Sequence, residues 1–153
     1  MTLACVSVRK ILLGLFATIL LSAAAWGAAT EKVLYNFCQQ NGCSDGVYPN
    51  GELVFDASGN LYGTTTGGSV CSGYCGNVYE LSPSQSGWTE TVLYTFCSLP
   101  NCTDGATPEG PLIFDSLGNL YGTTEYGGAD GAGTVYELSP SAVSYTHLTL
   151  PTN

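Results

Sequence analysis

The chain has 153 residues, room for one modest domain with a core of its own. Only 3 Lys and Arg stand against 12 Asp and Glu, a net charge of −9 at pH 7, which argues against nucleic acid and anionic membrane surfaces as partners because both are held by cations. The 20 Gly and 10 Tyr, with a single Met and few Lys or Arg to favour helix, are the composition of an all-β protein.

The first segment stands apart from the rest. Arg9 and Lys10 precede the apolar run Ile11 to Trp26, and the small residues Gly27, Ala28 and Ala29 follow it. That order of cationic, apolar and small-residue regions is a secretory signal peptide, residues 1–29, with cleavage expected after Ala29. The rival reading is a retained transmembrane anchor, for which the 16-residue run is short. Cys5 lies before the apolar run, which does not suit lipid attachment. Cleavage removes Arg9 and Lys10 and leaves Lys32 as the one cation among 12 carboxylates. Solubility of an exported protein accounts for that charge more simply than specific cation capture.

Two tandem repeats follow, assigned to residues 30–89 and 90–142. Val33, Phe37, Cys38, Cys43, Asp45, Gly46, Pro49, Asp56, Gly59 and Tyr62 each recur 59 residues later, and GNVYELSPS from Gly76 recurs as GTVYELSPS at an offset of 57. Four strands are predicted in the first copy, at 33–37, 52–56, 60–65 and 77–82. Val33, Tyr35 and Phe37 are expected to share one face, as are Leu53 and Phe55. The second copy predicts strands at 92–96, 111–115, 119–124 and 134–139. Between the second and third strands, Asp56 to Asn60 and Asp115 to Asn119 have the chemistry of a hairpin turn. The Asp side chain bonds forward to backbone N–H groups, and Gly59 or Gly118 takes the left-handed position. Tandem four-stranded antiparallel units are the pattern of β-propeller blades, with an open β-solenoid or a small sandwich as rivals. Two blades cannot close a ring, so the expectation is an open arrangement that assembles with others or continues into further repeats of the same chain.

Six cysteines remain once Cys5 is set aside, in three close pairs: Cys38 with Cys43, Cys71 with Cys75, and Cys97 with Cys102. An even count in an exported chain predicts disulfides within these loops. Cys71 and Cys75 both lie in the loop that is longer in the first copy, as partners gained together would. The alternative, a zinc site, is served poorly by C-x4-C and C-x3-C spacing without His in the repeats.

No catalytic residue and no cofactor are assigned. Asp45, Asp56, Asp104 and Asp115 are the tempting carboxylates, but each occurs in both copies, which suits a turn or loop-closing role better than a unique active site. Glu52, Glu109, Glu125 and Asp130 show no pairing. Calcium at Asp45, Asp104 or the Asp130 loop stays open as an alternative, without a recognisable calcium-loop motif. Tyr48, Tyr74, Trp88 and Tyr126 fall in predicted loops and are the candidate contacts to a ligand; the rival role for such residues is core filling.

The repeat breaks off at Val143. VSYTHLTLPTN matches nothing upstream, and Val143 to Thr152 resembles the translation of a transposon-end sequencing adapter, so residues 143–153 are read as an artefact and His147, the lone His, is given no role.

The phrase LYGTTEYGGADGAGTVYELSP, Leu120 to Pro140, resembles the Gloeo/Verruco tandem repeat, called GloVer, and the likeness spans Glu31 to Ser141. These repeats occur in exported bacterial proteins, often in many copies, and have no assigned catalytic activity. The resemblance therefore implies a fragment of a secreted or cell-surface repeat protein with a structural or binding role toward an unknown protein or glycan. The Cys-containing loops depart from the commonest pattern. The competing function is the non-catalytic portion of an enzyme that degrades extracellular polymer.

Overall fold

In the computed structural model the predicted hairpins form antiparallel sheets, but the sheets run out of step with the sequence repeat. The structure describes residues 29–68 and 75–140. By its contacts the chain divides into Met1–Glu31 and Lys32–Asn153, and the elements below belong to the second part. Residues 1–28 of the expected signal peptide, the loop holding Cys71 and Tyr74, and the tail with His147 lie outside the described residues.

The first sheet contains β1 (Val47–Phe55), β2 (Leu61–Gly67), β3 (Asn77–Ser84) and β4 (Gly87–Thr95), in that order. Its outer strand β4 thus crosses from the end of the first sequence copy into the second. The second sheet contains β5 (Ala106–Pro108), β6 (Ile113–Phe114), β7 (Leu120–Tyr126) and β8 (Thr134–Leu138). There β5 and β6 pair with one side of β7 and β8 with the other. The protein is all-β, built from two open antiparallel four-stranded sheets, with two single-turn 3-10 helices at Asn41–Cys43 and Pro100–Cys102 among the described residues.

Two expectations need correction. No strand forms over 33–37, although its copy at 92–95 lies in β4. The difference is the neighbour: β4 pairs along β3 of the sheet before it, whereas among the described residues 33–37 has no preceding sheet to pair with. Nor do Val33, Tyr35 and Phe37 share a face, since Leu34, Tyr35 and Phe37 pack inward while Val33 is exposed. The strand expected over 111–115 shrinks to two residues, and β5 and β6 together replace what is one strand in β1. The break falls at 109–112, matching the register shift between Asn50 and Val54 of β1. Pro111, standing where the first copy has Glu52, supplies no N–H for the ladder there.

The hairpin turns form where the repeated motif places them. Asp56 and Asn60 close the first through a 3.1 Å backbone bond, and the Gly59 N–H donates to the Asp56 carbonyl. Asp115, Gly118 and Asn119 repeat both bonds. Gly59 and Gly118 have φ of 85° and 83°, the left-handed region in which a Cβ is costly.

The core has two layers. Tyr62 and Val78 from one face of the first sheet meet Leu112, Leu120 and Leu138 of the second, with Phe96 among them. On the other face of the first sheet, Leu61, Tyr79 and Leu81 are covered by Leu34, Tyr35, Phe37 and Trp88. A bulge tunes this packing: Val78 pairs with Tyr94 and Tyr79 with Val92, leaving Leu93 as an extra residue, so that the consecutive Leu93 and Tyr94 both reach the first core.

Glycine in the repeated LYGTT is explained by the strand beside it. Gly63 pairs with Tyr79 and Gly122 with Tyr136, and a Cβ on either glycine would run into the tyrosine's phenol end. Each ring lies across its glycine and covers the backbone. Gly63→Ala and Gly122→Ala are each predicted to destabilise the fold by about 1–3 kcal/mol through overpacking. Combining Gly63→Ala with Tyr79→Leu should recover part of the loss. Urea denaturation reads both, and an alanine variant as stable as the parent would refute this packing.

Candidate functional site

Each repeat uses one carboxylate to tie its cysteine loop to its first segment. In the first copy Cys38 and Cys43 are disulfide-bonded across 4.0 Å between Cα atoms, closing a loop around the turn Asn41–Cys43. Asp45, fully buried, lies just beyond. Its Oδ2 accepts from the Tyr35 hydroxyl at 2.9 Å and the Gln39 N–H at 2.8 Å, and its Oδ1 from the Gln40 N–H at 3.4 Å. The second copy repeats this arrangement. Cys97 and Cys102 are bonded, and Asp104 accepts from the Tyr94 hydroxyl at 2.9 Å, the Ser98 N–H at 3.0 Å and the Leu99 N–H at 3.2 Å. Ser98, in place of Gln39, adds its own hydroxyl at 2.8 Å.

Left-handed backbone accompanies the loops. Cys38, Cys43, Cys97 and Cys102 all have φ between 52° and 63°, an uncommon conformation for residues with a side chain. The repetition of this geometry in both copies marks it as part of the loop's design. A segment held in such a conformation needs strong local partners, and the disulfide and the carboxylate supply them.

The hairpin carboxylates are used in the same manner. Asp56 accepts from the N–H groups of Ser58 and Asn60, the Asn60 side-chain amide and the Tyr62 hydroxyl. Asp115 does so from the N–H groups of Leu117 and Asn119, the Asn119 amide and the Tyr121 hydroxyl. Asp45, Asp104, Asp56 and Asp115 therefore all receive converging N–H and O–H donors. That is an anion's environment, already filled by the protein's own carboxylate, and positive hydrogens pointing at these oxygens oppose a cation there.

Electrostatics separate one carboxylate from the rest. Burial alone would raise Asp45, but the donors from Gln39, Tyr35 and Gln40 outweigh it and hold its pKa below the ordinary value. Asp104 is lowered in the same way, its donors led by Ser98. Glu90, early in β4, is the opposite case. Burial, with the negative charge of Asp45 added, pushes it up from 4.5 to about 7. Its Oε2 accepts from the Gln40 side chain at 3.4 Å, and its Oε1 is buried without a partner. Burial and Glu90 together raise Tyr79 to about 12. Sequence reasoning passed over Glu90, whose one signal was that the first copy carries Glu31 at the same place.

The residues proposed for ligand contact are not brought together as a loop cluster. Tyr48 is in β1, strongly exposed and at a φ of 56°. Trp88 is in β4 opposite Pro83, where it packs on Leu61, Tyr79 and Leu81, so it covers a core. Tyr126 ends β7 opposite Ala106 and is half exposed. Loop placement of these three is thus corrected to strand placement, because β1, β4 and β7 extend beyond their predicted ends; Tyr74 lies outside the described residues. Cys75 is buried and disulfide-bonded, and Cys71, its expected partner, lies outside them too. Glu52, Glu109, Glu125 and Asp130 are exposed, and no group of three or more His, Cys, Asp or Glu suited to a metal occurs among the described residues.

What the geometry repeats is a module, a disulfide loop and a hairpin each closed by an Asp. The model of the Gloeobacter/Verrucomicrobia repeat matches residues 20–150. The chain belongs to the Gloeobacter/Verrucomicrobia repeat family. No curated protein and no solved structure matches it. Within this repeat, Asp45 and Asp104 carry the loop and Asp56 and Asp115 carry the turn.

Asp45→Ala is predicted to cost about 2–4 kcal/mol, since it removes a buried carboxylate on which three donors converge, and Asp104→Ala, at a half-buried site, about 1–2 kcal/mol. Asp45→Ala in a Tyr35→Phe background should cost less than alone, because the two share a bond. Thermal unfolding of the four variants measures the coupling, and strict additivity would show the bond to contribute nothing.

The pH dependence follows from opposite shifts. Asp45 and Asp104, lowered in the fold, contribute stability that is present above about 3.8 and is lost as pH falls through their folded values. Glu90, raised in the fold, favours the folded state when protonated, so stability falls as pH rises from about 4.5 to about 7. Stability should peak near pH 4–5, about 1 kcal/mol above its value at pH 8 after allowance for the solvent exposure of Glu90. Glu90→Gln should remove that decline and raise the unfolding midpoint at pH 8. A variant with the parent's slope between pH 5 and 8 would assign the effect elsewhere.

Proposed function

We propose that this chain is a secreted or cell-surface repeat scaffold whose units serve a structural or binding role outside the cytoplasm. The observation that carries the reading is the pair of disulfide loops, each closed by its own Asp and present at the same place in both repeats. Such bonds persist in oxidising compartments, which is where a leader of the pattern seen over residues 1–29 would deliver the chain. The aspartates that both repeats share are spent on loops and turns, which supports a scaffold over a reaction centre. Successive four-stranded sheets packed face to face suit a blade-like array. Tyr48 and Tyr126 are the exposed aromatic residues best suited to stack on a glycan or a partner protein.

Fusing residues 1–29 to a reporter that is active only after export tests the location, with the mature protein expected to begin at Thr30. Peptide mapping without reductant should recover Cys38–Cys43, Cys71–Cys75 and Cys97–Cys102 within single loops. A reporter left inactive in the cytoplasm, or free thiols in the mature chain, would reject the reading.

A further inference from the structure

Two faces of the protein lie open, and each is the repeat of a face that is covered. Inside the molecule Val54, Tyr62 and Val78 of the first sheet pack with Leu112 and Phe114 of the second. The Tyr62 and Phe114 rings meet edge to face at 5.0 Å. Moving Val54 and Tyr62 by 59 residues and Val78 by 57 gives Ile113, Tyr121 and Val135, while moving Leu112 and Phe114 back by 59 gives Leu53 and Phe55. Val78 is 0% exposed and its copy Val135 is 81% exposed; Leu112 is 1% exposed and its copy Leu53 is 51%. Ile113 and Phe55 are also largely exposed. The second sheet thus presents outward one half of the internal interface, and the first sheet presents the other half.

The strand edges show the same displacement. β4 bonds to β3, yet Leu93, Tyr94 and Phe96 pack into the core shared with the second sheet. Their copies Leu34, Tyr35 and Phe37 pack on Leu61, Tyr79 and Leu81 in the equivalent way, but form no strand. At the opposite end β8, the copy of β3, pairs with β7 alone among the described residues. The buried hydroxyl of Tyr136 has no partner, whereas its copy Tyr79 lies within the field of Glu90 from β4.

We propose that this chain associates head to tail with a second copy of itself. The face bearing Ile113, Tyr121 and Val135 seats on the Leu53 and Phe55 face of the next molecule, and 33–37 of that molecule adds to β8 as β4 adds to β3. The two surfaces differ, so the contact is heterologous and growth continues until a ring closes or a filament forms. Apolar burial drives it, and the chain's acidic charge opposes it, so added salt strengthens the association. The inference rests on the scaffold reading, and the two fail separately: an exported monomer would leave that reading intact and remove this one.

Sedimentation velocity on the full chain purified after export provides the test. The average mass should rise with concentration past the dimer, and more so at high salt. Val135→Glu and Phe55→Glu change exposed positions and should keep the parent's thermal midpoint while each weakens self-association on the order of a hundredfold or more. Mixed in equal amounts, the two variants retain one sound face of each kind, so they should form a dimer and stop there. A parent that stays monomeric at every concentration, a variant that associates like the parent, or a mixture that does not dimerise overturns the proposal.

Discussion

The structure depends on one segment serving two sheets. β4 gives its backbone bonds to β3 and its side chains Leu93 and Tyr94, with Phe96 just beyond it, to the core between the sheets. Cooperative stability follows from that division, since neither sheet completes its ladder and its core from its own sequence copy. The Leu93 bulge makes the division workable: without the extra residue, strict alternation would turn either Leu93 or Tyr94 away from the core. Removing the segment would therefore open an edge on one sheet and a core on the other.

Around that segment the Asp carboxylates do the local holding. Asp104 binds the hydroxyl of Tyr94, a β4 residue, and also the backbone of the cysteine loop, so the disulfide loop and the shared strand are connected through a single side chain. Asp45 does this for Tyr35 even though 33–37 is not a strand. The carboxylate thus holds the segment without sheet pairing. Glu90 sits where the Asp45 loop and Tyr79, on the outer face of the first sheet, approach β4, and its raised affinity for a proton marks a place where this arrangement is electrostatically unfavourable at neutral pH.

Much of the site was legible in the sequence because it is local chemistry. Asp56 and Asp115 reach donors two to six residues away, and Cys38 with Cys43 and Cys97 with Cys102 are five apart, so spacing alone pointed to the turns and the loop bonds. Trp88 and Glu90 were not legible. Their environment is built by β2, β3 and the Asp45 loop, and no pattern around them records that contact. The split of one predicted strand into β5 and β6 was half legible, through Pro111.

By itself the sequence determined the repeat, the all-β class, the hairpin turns and the role of the duplicated aspartates, since each depends on periodicity or on groups a few residues apart. Only the tertiary structure decided which strand belongs to which sheet. The segments 33–37 and 92–96 are nearly the same peptide, VLYNF and VLYTF, yet β4 includes most of the second and no strand includes the first. A strand is stabilised by bonds to its neighbour, and β3 lies beside one segment and not the other.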